Sequence, residues 1–289
     1  MFTQITKKNI RKLLTLVSIT TAGLGIANTA NATIVEFHTS QGSFQVNLFD
    51  QNTPATVKNF LNYVEGDHYN NSVVHRVSSG FVVQAGGFKF NGTWPLTPLV
   101  PNVPVINEAI YSNVKGTISM AKKGNDINSA TNQWFFNLSD NNTGPAKEGN
   151  LDRQNGGFTA FGQVIGDGMT VVNKIAQLKL CDYENLKGIP MVMDSDQTCA
   201  DMVVPGEENF AVIEQIKVID PSKTTASDLH PLESKYPDSD GDGVKDIDDA
   251  FPSDPSKSVP DVEDSGASIN WFALVMLALI STRKRFIKS

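Results

Sequence analysis

Val73-Val74-His75-Arg76-Val77, Ser78-Ser79-Gly80, Phe81-Val82-Val83-Gln84-Ala85 and Gly86-Gly87-Phe88 follow one another without a gap. The stretch holds two short apolar and β-branched runs, Val73–Val77 and Phe81–Ala85, separated by turn residues. Runs of the same kind recur on both sides. Upstream, Thr33–His38 and Ser43–Phe49 flank a turn containing Gly42, which predicts a hairpin. Downstream lie Gly116–Ala121, Gln133–Leu138, Thr159–Ile165 and Phe210–Ile219. Only two helices are expected among them. Thr53 fits an N-cap and Pro54 the first helical position. Val57, Phe60, Leu61 and Val64 share one face, and Gly66 can end the helix. The second is expected near Met169–Leu178. Many short strands with two helices predict a closed barrel whose ends the helices can plug. No internal repeat is present.

The chain has 289 residues, 40% apolar and 19% charged, with a formal net charge of −7. This is enough for one sizeable core and excludes collagen, a long coiled coil and a wholly disordered chain. The acidic balance argues against nucleic-acid binding. The charge is unevenly spread. Residues 1–32 hold four bases and no acids, and 33–220 hold 12 bases and 19 acids. Residues 221–264 hold 4 bases and 12 acids, and 265–289 hold four bases and no acids. The chain therefore divides into four segments with boundaries at 32, 220 and 264.

Segment 1–32 has the form of an export signal. Lys7, Lys8, Arg11 and Lys12 precede the mostly apolar Leu13–Ile26, and Ala30-Asn31-Ala32 supplies a small-residue cleavage site. An uncut membrane anchor is the alternative. At the other end, the apolar run Ile269–Ile280 is followed by Arg283-Lys284-Arg285. The run is short for a bilayer span, which takes about 20 residues. Bases after it favour a cytoplasmic C-terminus. The pattern resembles the sorting tails of exported bacterial proteins, although Ser265-Gly266-Ala267-Ser268 stands where the best-known version has Gly-Gly. A plain C-terminal anchor is the alternative, so membrane contact is expected through this tail, at least transiently.

Cys181 and Cys199 are the only cysteines. In an exported chain an even pair predicts a disulfide, worth about 3 kcal/mol in the chain-entropy picture. A metal site would want a nearby histidine, and a redox pair would more usually be CxxC.

Three stretches together resemble the cyclophilin family of peptidyl-prolyl cis/trans isomerases. They are Val74–Val77 with Gly80–Phe88, Gly116–Ala121 with Asn132–Phe136, and Leu151-Asp152 with Phe158–Val164. Asn107-Glu108 and the helix start Gly168-Met169 also fit. The resemblance spans residues 33–220, and the short Gln84-Ala85-Gly86-Gly87-Phe88 form looks most like the bacterial periplasmic branch. It implies a mainly β, eight-stranded antiparallel closed barrel capped by two helices.

The resemblance also implies site roles. Arg76 matches the arginine that hydrogen-bonds the prolyl nitrogen, and Gln84 the residue that orients it. Phe81, Val82, Phe135 and Leu151 match the pocket for the proline ring. Ala121 and Lys122 match positions whose backbone binds the substrate chain, and Gln133 a glutamine of the second stretch. Phe158 stands where His is common, and Asn150 where many eukaryotic members carry the Trp on which tight cyclosporin binding leans, so weak inhibition is expected. His75 is read as structural. The other histidines, His38, His68 and His230, complete no triad or metal set. Isomerisation breaks no bond, so no cofactor is expected for it. The substrates would be proline-containing, unfolded or exported polypeptides. No oligomerisation signal stands out, so a monomer is expected. A proline-holding chaperone with little turnover, and a calcium-dependent surface protein using the barrel as scaffold, are the competing readings.

Within 221–264, Asp238, Asp240, Asp242, Asp246 and Asp249 fall at positions 1, 3, 5, 9 and 12 of a calcium loop, with Gly243 at the sharp turn and Val244 offering its carbonyl. The run through Ala250-Phe251-Pro252 resembles a thrombospondin type-3 repeat. Calcium is therefore the expected ion here, and a solvated acidic linker is the alternative.

Overall fold

A computed structural model of the chain describes residues 33–144, 149–201, 205–222 and 229–236, together with 245, 250–251, 254 and 256–259. The expected export signal at 1–32, the expected sorting or anchor tail from residue 265, and the candidate calcium-loop residues Asp238, Asp240, Asp242, Val244, Asp246 and Asp249 lie outside the described residues. Among the described residues, no helix is long and apolar enough to cross a membrane.

The elements in chain order are β1 (Ile34–Thr39), β2 (Gly42–Leu48), α1 (Pro54–Glu65), β3 (Ser72–Val73), β4 (Arg76–Ser78), β5 (Val82–Ala85), β6 (Phe88–Lys89) and β7 (Thr97–Pro98). There follow β8 (Thr117–Met120), β9 (Trp134–Asn137), β10 (Ala160–Ile165), α2 (Gly168–Ala176), β11 (Lys179–Tyr183), β12 (Leu186–Met191) and β13 (Val212–Asp220). One antiparallel sheet runs β4-β5-β9-β8-β10-β2-β1-β13-β3-β6-β7. The runs expected from the sequence all appear in it. The first eight strands of that order make the wall of the barrel. The short β3 continues the sheet past β13, and β6, β7 and the separate pair β11–β12 are additions beyond it.

The barrel is curled but not closed by a ladder, which corrects the expectation of full closure. The expected strand Val73–Val77 is broken where it changes partner. Val74 N–H donates to the Ala211 carbonyl at 2.9 Å, on the β13 side, whereas His75 N–H donates to the Gln84 carbonyl at 3.2 Å, on the β5 side. The chain itself crosses the seam that a closed barrel would bridge with hydrogen bonds.

Side chains alternate across each strand. Val77, Val83, Ala85, Ile118, Met120, Trp134 and Phe136 point into the core. Phe37 anchors it, with ring centroids 4.9 Å from Phe44, 5.3 Å from Trp134 and 5.5 Å from Phe136. Helix α1 adds Val57, Phe60, Tyr63 and Val64 from its buried face. Thr53 occupies the N-cap position but makes no side-chain cap. Its hydroxyl donates to the Phe49 carbonyl instead, at 3.1 Å. The cap comes from Glu108, whose carboxylate accepts from Ala55 N–H at 3.2 Å, Thr56 N–H at 2.9 Å and the Thr56 hydroxyl at 2.8 Å.

A second core holds Val73, Leu96, Cys181, Ile189, Met191 and Phe210. Cys181 and Cys199 form the expected disulfide within it, with Cα atoms 5.6 Å apart. Strand β12 packs along β4. The approach needs a glycine at 188, where φ is +71° and a Cβ would stand 2.5 Å from the Val77 carbonyl oxygen.

Packing does not stop at residue 220. Segment 229–236 returns to the barrel and bridges Tyr111 through Glu233. Ser112 N–H donates to the Leu232 carbonyl at 2.8 Å, and Ser234 N–H to the Ile110 carbonyl at 2.9 Å.

Candidate active site

The same alternation that sends Val83 and Trp134 inward turns Gln84 and Phe135 outward. Register then aligns them. Arg76 stands opposite Gln84 across β4–β5, Gln84 opposite Phe135 across β5–β9, and Phe135 opposite Ser119 across β8–β9. Opposed residues share a face, so Arg76, Gln84 and Phe135 form one row on the outside of the wall.

Arg76 Nη1 donates to Gln84 Oε1 at 3.2 Å, and Gln84 Nε2 donates to Gln133 Oε1 at 2.9 Å. The relay leaves Gln84's amide no free choice of orientation. Gln133 therefore stands behind Gln84 rather than on the cleft wall. Its side chain lies over Gly87, where a Cβ would come within 2.7 Å of the amide. His75, beside Arg76, is buried against the Phe88 ring at 4.8 Å. Burial, with a smaller contribution from the Arg76 charge, lowers its pKa to about 4, against hydrogen bonding to the Val73 carbonyl and the Gln133 side chain. It is neutral at pH 7.

Next to this row lies a cleft of about 240 Å³ lined by Arg76, Phe81, Val82, Gln84, Ala121, Lys122, Phe135, Leu151, Gln154 and Phe158. Val82, Phe135 and Leu151 form a small buried apolar cluster, with Phe81, Ala121 and Phe158 packed on it. Phe135 and Phe158 meet edge to face at 5.8 Å. Leu151 is held at both ends, its N–H donating to the Asn141 carbonyl at 2.7 Å and its carbonyl accepting from Phe158 N–H at 2.8 Å. The predicted Arg76, Phe81, Val82, Gln84, Ala121, Lys122, Phe135, Leu151 and Phe158 are thus brought together, with Gln133 one contact behind.

Lys122 is turned away from the open mouth. Its ammonium donates to the Gly157 carbonyl at 2.7 Å, the Asn155 carbonyl at 2.8 Å and Asn107 Oδ1 at 3.2 Å, and sits 4.9 Å from the Phe158 ring centroid. Burial lowers its pKa to about 8, against the opposing pull of Asp126. Lys122 so ties the end of β8 to the loop on the far side of the cleft. Asn107 strengthens the tie by donating to the Gly156 and Gly157 carbonyls at 2.9 and 3.0 Å.

Gln154 was not foreseen. It enters the cleft from the 3₁₀ turn Gln154–Gly156, whose sequence carries no periodic signal. Nor was the role of Asp152, a buried carboxylate that anchors the same loop. It accepts from the Ser112 hydroxyl at 2.6 Å, Asn113 N–H at 2.7 Å and Asn113 Nδ2 at 3.0 Å.

The family model described as cyclophilin type peptidyl-prolyl cis-trans isomerase/CLD matches residues 34–194, more than half of the chain. The chain belongs to the cyclophilin family. A peptidyl-prolyl cis-trans isomerase of Acinetobacter baylyi is 37% identical over 181 residues, which cover 62% of this chain and 90% of that one. Peptidyl-prolyl cis-trans isomerase A of Dickeya dadantii is 36% identical over 198 residues, covering 66% and 97%. Peptidyl-prolyl cis-trans isomerase B of Escherichia coli is 40% identical over 144 residues, covering 49% and 83%. The chain is accordingly a peptidyl-prolyl cis-trans isomerase. In this cyclophilin the matched stretch includes every residue of the cleft. It ends before β13 and the returning segment 229–236.

Proposed function

We propose that the cleft beside Arg76 binds a proline-containing segment of an exported polypeptide and isomerises its prolyl bond, with the proline ring in the apolar pocket. The observation that carries this is the Arg76 guanidinium, oriented by Gln84, at the edge of a pocket walled by Phe81, Val82, Phe135, Leu151 and Phe158.

The chemistry asks for little else. The prolyl amide resists rotation because its C–N bond has partial double-bond character, with a barrier of about 18–20 kcal/mol. As the bond twists, resonance is lost and the nitrogen becomes pyramidal with a lone pair. An arginine N–H aimed at that nitrogen bonds it only in the twisted state, so the stabilisation is differential. A planar fork held by Gln84 is already in place when the lone pair appears, whereas a lysine ammonium would have to be positioned. The pocket fixes the ring while the rest of the substrate chain turns. The Ala121 N–H is taken by the Gln133 carbonyl at 2.9 Å, so the substrate chain would bond the Ala121 carbonyl and the Lys122 backbone. No bond is broken, so neither nucleophile nor cofactor enters.

The disulfide supports an oxidising compartment, in keeping with the export signal read at 1–32. We place the protein in the periplasm or cell envelope, with the tail from 265 as sorting signal or anchor, and assign calcium to the acidic repeat at 238–249. Those assignments rest on the sequence. Asn150 is buried and bonded inward, to the Gly144 carbonyl and from Asp152 N–H, and supplies no aromatic surface to the cleft. This supports weak cyclosporin binding.

The test is NMR exchange on a short proline-containing peptide with wild type, Arg76→Ala and Arg76→Lys. Loss of about 10²–10³ in kcat/KM is expected for Arg76→Ala, by analogy with removal of one preorganised donor, with partial activity in Arg76→Lys. Binding without exchange in the wild type would identify a holding chaperone instead. Equal exchange in wild type and Arg76→Ala would remove Arg76 from the mechanism.

A further inference from the structure

We propose that segment 229–236 is a strap that positions the pocket loop 149–158, and that Tyr236 and Arg153 are the positioning pair. The inference rests on the cleft assignment above and concerns a part of the chain outside the stretch matched by the family.

The strap is fixed to the barrel at several points. It exchanges hydrogen bonds with both sides of Tyr111, through Leu232 and Ser234. Ser234 is buried, and Leu229 packs against the cluster of Phe49 and Tyr111. Tyr236 N–H then donates to the Ser234 hydroxyl at 3.1 Å, which ties the Tyr236 backbone to the buried part of the strap. The Tyr236 ring is thereby presented to the loop, and the Arg153 guanidinium lies over it, 4.8 Å from its centroid.

Arg153 is an exposed arginine that forms no ion pair among the described residues. Its backbone, however, belongs to the turn that faces the cleft. Arg153 N–H and Gln154 N–H both donate to the Asn150 carbonyl, at 3.3 and 2.9 Å. Holding the Arg153 side chain over Tyr236, on the outside of the turn, aims Gln154 into the cleft. Leu151, two residues earlier, is part of the same turn. A second path runs from the strap through one residue. Ser112 takes the strap's Leu232 carbonyl with its N–H and reaches the loop's Asp152 with its hydroxyl.

Between strap and loop a cavity of about 320 Å³ remains, lined by Ser112, Asn142, Asp152 and Tyr236 among others. The two are not packed together along their length. The contact of Tyr236 with Arg153 and the Ser112 bridge are therefore what transmit the strap's position, and loosening them lets the turn shift on its remaining ties to Asn113, Asn107 and Lys122 without opening the barrel core. The consequence falls on substrate binding, because Gln154 and Leu151 line the pocket.

The experiment measures kcat and KM for isomerisation of a short proline-containing peptide by the full chain carrying Tyr236→Ala, Tyr236→Phe, Arg153→Ala or the Arg153→Ala/Tyr236→Ala pair. A ring–cation contact at an exposed site corresponds to about a two- to fivefold change. Tyr236→Ala and Arg153→Ala are each expected to raise KM by that factor with kcat unchanged, Tyr236→Phe to behave as wild type, and the double variant to be no worse than either single one. The Gln154 and Phe158 amide NMR signals should shift in Tyr236→Ala and not in Tyr236→Phe. Wild-type KM in Tyr236→Ala, whatever its melting temperature, overturns the inference, as do additive effects in the double variant or impairment in Tyr236→Phe. Should Tyr236→Ala fail to fold, the exposed Arg153→Ala decides alone. Arg76→Ala separates the two levels. Lost activity there with unchanged KM in Tyr236→Ala sinks the strap only, and retained activity there sinks the cleft assignment itself.

Discussion

Arg76 and Gln84 face each other directly across β4 and β5, and the guanidinium Nη1 donates to Oε1 at 3.2 Å. The eight-residue separation in sequence is that of the third pair of the hairpin, after Ser78 with Val82 and Val77 with Val83. The bond is thus a product of register. Shifting either strand by one residue would send one partner into the core. Removing the acceptor should leave Arg76 in place but free to rotate. Gln84→Leu is expected to lower kcat/KM about tenfold, the loss of one charge-assisted hydrogen bond. The Arg76→Ala/Gln84→Leu double variant should be no slower than Arg76→Ala alone, as a positioning role requires. NMR exchange on the same peptide checks both.

His75 couples stability to acid. Its folded pKa is about 4, against about 6.5 when exposed. Between those values the unfolded chain binds a proton that the folded protein refuses, so stability rises with pH in that window and falls on acidification. The full difference corresponds to about 3 kcal/mol by pH 4. Urea unfolding at pH 7 and pH 4.5 should show a drop that His75→Gln reduces. An equal drop in both proteins would assign the acid sensitivity to the carboxylates.

Glu108 caps α1 from outside the helix. Glu108→Ala should cost about 1–3 kcal/mol, since it leaves helix N–H groups and a hydroxyl unpaired. Glu108→Gln keeps one acceptor oxygen and should cost less. Thermal unfolding gives the order. Thr53→Ala, by contrast, removes only a bond to Phe49 and should be the milder change, the reverse of what its N-cap position alone suggests.

Lys122 makes a second pH dependence, on binding. With a pKa of about 8 it carries three donors at pH 7 and loses its charge above pH 8. The tie to the Asn155 and Gly157 carbonyls weakens then, so KM is expected to rise between pH 7 and 9. Lys122→Met should show the higher KM already at pH 7 and no change across that range. A pH-independent KM in the wild type would show that the tie does not support the pocket.

The order of short runs around Val73–Phe88 determined the strand set, because β-branched and apolar residues between turn residues have few other uses. Spacing within the family's motifs likewise placed Arg76, Gln84, Phe135 and Leu151 in one site, and a single pair of cysteines in the chain left Cys181 only Cys199 as a partner. Which face of β5 and β9 is buried was not legible in the sequence, since both faces carry apolar residues. Trp134 and Phe136 go inward and Phe135 outward only because the sheet curls one way. The remaining features depend on chain segments far apart in sequence. The seam at Val74-His75 exists because β13 and β5 compete for one short strand. Glu108 reaches α1 from 53 residues beyond Ala55. Lys122 folds back onto carbonyls of a loop whose turn no periodicity announces. Tyr236 reaches Arg153 from a segment whose acidic, proline-containing composition reads as linker. Local sequence states what a residue can do. Which donor meets which acceptor is set by the register and curl of the sheet, and these come from burying the whole apolar set at once.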